Sequence, residues 1–152
     1  MLKKSRVLII LGLASLLILM ALPGSSSAEI RIGITQIVEH PALDAAREGF
    51  KEALAGEGLN VWYDLQNAQG DMATATTIAR KFAGDRLDLI LAIATPTAQA
   101  TAQAIEDVPI LITAVTDPVA AGVINSMEEP GTNVTGTTDM TPVRTQWNCS
   151  WR

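Results

Sequence analysis

The chain has 152 residues, with 16 acidic against 11 basic side chains and a net charge of −5 at neutral pH. That balance argues against a nucleic-acid partner, whose backbone requires clustered Lys and Arg. Cys149 is the single cysteine and His40 the single histidine, so neither an internal disulfide nor a His/Cys metal cluster can be assembled.

Residues 1–28 read as a cleavable signal peptide. Lys3, Lys4 and Arg6 form a basic start, Val7 to Leu22 is almost uninterrupted apolar sequence, and Ser26-Ser27-Ala28 supplies small residues before Glu29. The apolar run falls short of the roughly 20 residues of a membrane span and is followed by Pro23-Gly24 and serines. An uncleaved signal anchor is the alternative. No cysteine lies near the cleavage region, so lipid attachment there is excluded. The expectation is a soluble periplasmic protein, made more acidic by the loss of three basic residues with its signal.

Residues 29–142 then form one small domain in which strands and helices alternate. Glu29 to Gln36 is a short strand with Ile30, Ile32 and Ile34 on one side. Pro41 opens a helix that places Leu43, Ala46, Phe50 and Ala53 or Leu54 on one face, and Gly56 and Gly58 stop it. Leu59 to Leu65 reads as a half-buried strand, with Val61 and Tyr63 facing away from Trp62 and Asp64. After the loop Asn67 to Gly70, Asp71 caps a second helix that carries Met72, Ala75, Ile78 or Ala79, and Phe82, and ends at Gly84.

Two largely apolar runs follow, Asp88 to Ala94 and Pro109 to Val115, each read as a strand covered on both faces. Between them a third helix begins at Pro96 and buries Ala98, Ala102 and Ile105. A short turn or helix spans Val119 to Val123, Glu128 to Thr132 is a polar turn, and Asn133 to Thr138 is a candidate fifth strand. This order predicts an α/β fold: an open, right-handed parallel sheet with helices on both faces.

In such sheets ligands bind at the carboxyl ends of the strands, where helix N-termini present free N–H groups. Thr95-Pro96-Thr97 follows one apolar strand and Thr116-Asp117-Pro118 the other. Thr95 and Thr97 could offer hydroxyls, with the N–H groups of Thr97 and Ala98, to a ligand carboxylate; Thr95 could also simply cap its helix. Thr116 and Asp117 could meet the ligand's polar groups, or Asp117 could simply cap the short helix at Pro118. Gln36, Glu39 and His40 follow the first strand, where Glu39 could meet an ammonium group and His40 stack beside a ring, or they form a solvated loop before Pro41, with His40 as an atypical cap. Trp62 and Tyr63 read as packing residues, and Asp139 and Thr141 as candidate hinge residues.

Other chemistry finds little support. The strand-to-helix turns lack the glycine-rich dinucleotide pattern and the phosphate-loop signature, and no spaced acidic loop for calcium is present. Neither Ser126 nor Ser150 lies on a nucleophile elbow. The expectation is a binding protein with no cofactor and no metal rather than an enzyme. Asn133-Val134-Thr135 matches the glycosylation triplet but reads as a turn entering a strand.

The stretch from Ile32 to Pro142 strongly resembles the bacterial ABC-transporter substrate-binding proteins of the tryptophan/tyrosine-binding type. The resemblance is carried in order by Gly33 to Asp44, Gln69-Gly70-Asp71, Thr74 to Phe82, Ala92 to Gln99, Thr113 to Val119 and Gly131 to Gly136. It implies one Rossmann-like lobe of a type I periplasmic binding protein, with an amino acid held between two lobes that close like a hinge. It also implies delivery to an inner-membrane ABC permease. Proteins of this kind continue into a second lobe, whereas residues 143–152 hold two of the three tryptophans and the only cysteine. That compositional change is read as an anomalous tail after a truncation near Val143; a natural single-lobe protein is the competing expectation. Two rivals to transport remain: a ligand-sensing domain feeding a membrane receptor, and a small exported enzyme.

Overall fold

Strand β1 (Ile30–Gln36) divides the molecule into two layers, because alternate side chains along it enter different cores. Ile30, Ile32 and Ile34 meet helix α1 (Pro41–Gly56) through Leu43, Phe50 and Leu54. Gly33 faces the other way, toward helix α2 (Met72–Gly84). A Cβ at Gly33 would lie 2.7 Å from Leu87 Cδ1 and 3.0 Å from Phe82 Cε2, so its bare backbone makes room for the fully buried Phe82 ring. The computed structural model describes residues 29–140.

The remaining elements are β2 (Val61–Asn67), β3 (Leu89–Ile93), helix α3 (Thr95–Ala104), β4 (Ile110–Val115) and β5 (Val134–Thr138). All neighbouring strands are parallel, in the order β2-β1-β3-β4-β5. Helix α1 covers one face; α2 and α3 cover the other through Ala75, Ile78, Ala79, Phe82, Ala98 and Ala100. The small alanine side chains let these helices approach the sheet closely. The predicted fold class, an open parallel sheet with helices on both faces, is the one observed. None of the described helices is long and apolar enough to cross a membrane.

Local signals in the sequence produce most element boundaries. Pro41 occupies the first turn of α1, and Gly58 follows its end at φ 70°. Asp71 caps α2, its Oδ2 accepting the Thr74 N–H at 2.7 Å. Lys81 of α2 pairs with Asp64 of β2 and with Asp85, tying the helix to the edge strand. Burial pushes the Asp64 carboxyl up, but hydrogen bonds from Lys81 and Gln66 outweigh it and hold the pKa below the usual range.

The β4–β5 link is a run of turns with no helix, and β5 joins the sheet at close range. Gly136 has φ 149°, and a Cβ there would lie 2.1 Å from the Ile112 carbonyl oxygen. No side-chain movement relieves a clash with backbone. Gly136→Ala is therefore expected to cost about 3 kcal/mol by overpacking, read as a lower urea midpoint, while Thr135→Ala on the exposed face stays within about 0.5 kcal/mol of the parent. Equal midpoints for the two variants would contradict this account of β5.

Candidate ligand-binding edge

Parallel register brings the strand ends into one row. Gln36 of β1 pairs with Asn67 of β2 and with Ile93 of β3, and Ile93 pairs with Thr113 of β4. The loops leaving this row carry Gln36, Glu39, His40, Thr95, Pro96, Thr97, Thr116 and Asp117, so all the expected site residues share one edge. From β1 the sheet grows toward β2 on one side and β3 on the other, which makes their junction the switch point of the topology.

Among the described residues three other than glycine have positive φ, and each lies at or just beyond a strand end on this edge. They are Gln69 (54°), Ala94 (84°) and Ala114 (55°). Such conformations cost on the order of 1–3 kcal/mol each and concentrate at functional sites. Ala94, with ψ 157°, lies in a region that is almost exclusive to glycine. Its N–H donates to Thr113 O at 3.0 Å, and its carbonyl accepts from Ala98 N–H at 3.1 Å and the Thr97 hydroxyl at 2.9 Å. β3 thereby turns directly into α3 with no intervening loop.

That turn corrects the expected roles around Thr95. Thr95 is the first helical residue and not the cap; Ala94 is the cap and supplies no side-chain bond. Pro96 falls in the first turn, where a missing N–H removes no intrahelical bond. The Thr97 hydroxyl points inward, fully buried, and donates to Ile93 O (2.7 Å) and Ala94 O, so it is not offered to a ligand. The Ala98 N–H is likewise occupied by Ala94 O. The N–H and half-buried hydroxyl of Thr95 and the N–H of the buried Thr97 have no partner among the described residues.

The β1–α1 loop is fixed by a side-chain clamp. Gln36, 2% exposed, donates through Nε2 to Val38 O (2.7 Å) and Asp44 Oδ1 (2.8 Å), while its Oε1 accepts from Arg47 Nη1 (3.0 Å). Both amide hydrogens are thus occupied within the protein, and Gln36 holds the loop instead of reaching outward. Arg47 also pairs with Asp44 and Glu48, and the Glu48 hydrogen bond leads the causes that raise the Arg47 pKa above its ordinary value. His40 caps α1, its Nδ1 accepting the Ala42 N–H at 3.2 Å. Glu39 is exposed and makes no ion pair among the described residues.

Asp117 takes its capping role: Oδ1 accepts the Ala120 N–H at 2.9 Å. The exposed Thr116 accepts the Thr138 hydroxyl through its carbonyl at 2.7 Å, which leaves its own hydroxyl at the rim. Trp62 and Tyr63 lie on the body of β2, beneath Arg31 and Lys51 respectively; Tyr63 packs against the core under α1, whereas Trp62 is 40% exposed and is not part of that core. The Asp139 N–H bonds Val115 O at 3.3 Å, and Thr141 lies outside the described residues.

Two hollows are comparable in size. One of about 330 Å³ opens on the carboxyl edge between Val38, Glu39, Asn67 and Gln69. The other, about 340 Å³, lies between α3 and the start of β5, away from the strand ends. Two of its amides already serve the fold, with Gln99 Nε2 donating to Ala121 O and Asn133 Nδ2 to Ile105 O and Val108 O. Geometry and free donors favour the carboxyl edge as the site.

A parallel lobe with its unpartnered N–H groups on the switch-point edge is the architecture of a solute-binding protein. The chain belongs to the ABC transporter substrate-binding protein family, whose model matches residues 31–148. It is 53% identical over 118 residues to a tyrosine-binding protein of Clostridioides difficile, covering 75% of this chain and 34% of that protein. Among solved structures it resembles a ligand-free, open substrate-binding protein with adhesive properties from Clostridium difficile. That match has TM-score 0.76 and 56% identity, over 78% of this chain and 42% of that one. It also resembles a Streptococcus ABC domain in complex with L-Trp, with TM-score 0.74 and 36% identity, over 78% and 41% respectively. The chain spans about a third of the curated relative and about two-fifths of the solved ones.

The two threonines of the α3 turn have separable roles. Thr97→Val removes a buried hydroxyl that serves two carbonyls and is expected to destabilise by about 1–2 kcal/mol. Thr95→Val is expected to stay within about 0.5 kcal/mol. Urea denaturation of both variants checks this, and the reverse order would contradict the assignment.

Proposed function

We propose that this lobe captures an amino acid at the carboxyl edge of its sheet, as part of an exported protein that delivers the ligand to an inner-membrane ABC permease. The observation that carries the reading is the α3 turn: two free N–H groups and a threonine hydroxyl meet at a helix N-terminus, beside the switch point. Such a constellation suits a carboxylate, because the N–H donors and the helix dipole both favour negative charge there. The Thr116 hydroxyl lies on the same edge and is a second candidate contact. Family membership, a tyrosine-binding relative and a structural neighbour holding L-Trp support an amino acid, and an aromatic one, as the ligand.

Export through a signal at residues 1–28, periplasmic residence and a permease partner belong to the same proposal and draw on the family. So does the assignment of 29–142 as a first lobe; the signal and the expected tail, residues 143–152, lie outside the described residues, and the family model's match runs through residue 148. Binding rather than catalysis fits the edge. Its only imidazole caps α1 through Nδ1, and the Thr74 hydroxyl is held by the capping carboxylate of Asp71 at 2.7 Å.

This lobe supplies one wall of the site. Micromolar affinity corresponds to about 8 kcal/mol, and a ligand buried on one side only forfeits several of these. Calorimetric titration of the chain with L-tyrosine is therefore expected to show dissociation in the millimolar range, about 4 kcal/mol. Tyramine, which lacks the carboxylate, is expected to show none. Tyramine binding as well as tyrosine would contradict a carboxylate anchor, and tight, saturable binding of either would contradict the one-walled site.

A further inference from the structure

Strand β2 closes the sheet on the side away from β5, and among the described residues its outer edge has no strand beside it. Its ladder with β1 is flanked by Ile30 N–H donating to Asn60 O and Ala68 N–H donating to Gln36 O, so the even-numbered residues of β2 bond β1. The N–H and C=O groups of Val61, Tyr63 and Leu65 therefore point away from the sheet. Free edges are ordinarily guarded by proline, bulges or charge. Val61–Asn67 has no proline and no register shift against β1, and its one charge, Asp64, is paired with Lys81. Leu59, Trp62 and Leu65 are exposed around it.

We propose that this edge is an interface between two copies of the chain, paired antiparallel about a two-fold axis at Tyr63. In that register outward-facing residues exchange hydrogen bonds, Tyr63 with its symmetry mate and Val61 with Leu65 of the second copy. Trp62 then lies opposite Asp64 of the second copy, with Cα atoms about 4.5 Å apart. Arg31, stacked 4.7 Å over the Trp62 ring, carries a positive charge toward that carboxylate. The neighbouring registers fit less well. Centring on Asp64 sets two carboxylates face to face, and centring on Trp62 leaves Leu65 opposite Leu59, outside the strand. A strand from another protein would have to match this order of apolar and charged residues, whereas a second copy already carries it. Pairing joins the two five-stranded sheets into one and turns their carboxyl edges to opposite ends, so both remain open.

The test is sedimentation velocity of the chain from about 10 µM to about 1 mM, with amide hydrogen exchange at both limits. An interface this small is expected to dissociate on the order of 100 µM. The Val61, Tyr63 and Leu65 amides are then expected to exchange about fivefold more slowly at the upper limit. Those of Trp62 and Asp64, bonded to β1, are expected to be slow throughout. Leu65→Pro removes an outward N–H and no bond to β1, and Trp62→Asp sets two carboxylates opposite each other. Each is expected to weaken association at least about tenfold, and Trp62→Lys, facing Asp64, to associate about tenfold more tightly than Trp62→Asp. A monomer at the upper limit overturns the interface and leaves the edge to a different chain. Equal protection of Val61, Tyr63 and Leu65 at both limits overturns it as well, because the edge is then covered within one chain. So does a dimer that Trp62→Asp and Trp62→Lys affect alike.

Discussion

Gln36 stands in register with Asn67 on one side and Ile93 on the other, and every functional feature of the molecule follows from that alignment. Because the strands are parallel, their carboxyl ends finish together and the loops that leave them emerge side by side. A single residue of slip would move whole sets of side chains to the opposite face of the sheet. The hydrophobic pattern forbids that slip: Ile32, Ile34, Leu91 and Ile93 belong to the core beneath α1, while Ile90, Ala92, Ile110 and Ile112 belong to the core beneath α2 and α3. Core packing on both faces thus positions the edge.

On that edge the backbone departs from its easy conformations. Ala94 accepts a left-handed turn so that β3 runs straight into α3, and the buried Thr97 hydroxyl braces the turn against Ile93 O and Ala94 O. The Gln36–Asp44–Arg47 clamp performs the same service for the neighbouring loop. Both devices use polar side chains inside the protein to hold other groups outward. The result is a preorganised rim in which Thr95 and Glu39 are free to meet a ligand.

The fold was legible because its signals are local and redundant. Alternating isoleucines, Pro41, Asp71 and the glycines at 56, 58 and 84 mark strands, helix starts and stops independently of one another. Helix α3 was harder. Its first turn reads as a capped start at Pro96, yet the chain enters the helix one residue earlier, through a strained alanine that no propensity rule anticipates. Likewise the site was legible as an edge but not as a set of roles. Gln36 and Thr97 carry chemistry suited to a ligand, and only their placement reveals that each is engaged by backbone or by neighbouring side chains, whereas the local cap made by Asp117 was one of its two sequence readings. Asn67 and Gln69 read as ordinary loop residues, and their part in a hollow emerges only when β2 pairs with β1.

One measurement tests the central claim most directly: a map of backbone amide shifts in the chain on saturation with L-tyrosine. The carboxyl-edge account places the largest shifts at Thr95 and Thr97, whose N–H groups await an acceptor, with Thr116 close behind. Largest shifts instead at Gln99, Gln103 and Asn133, around the other hollow, would contradict it.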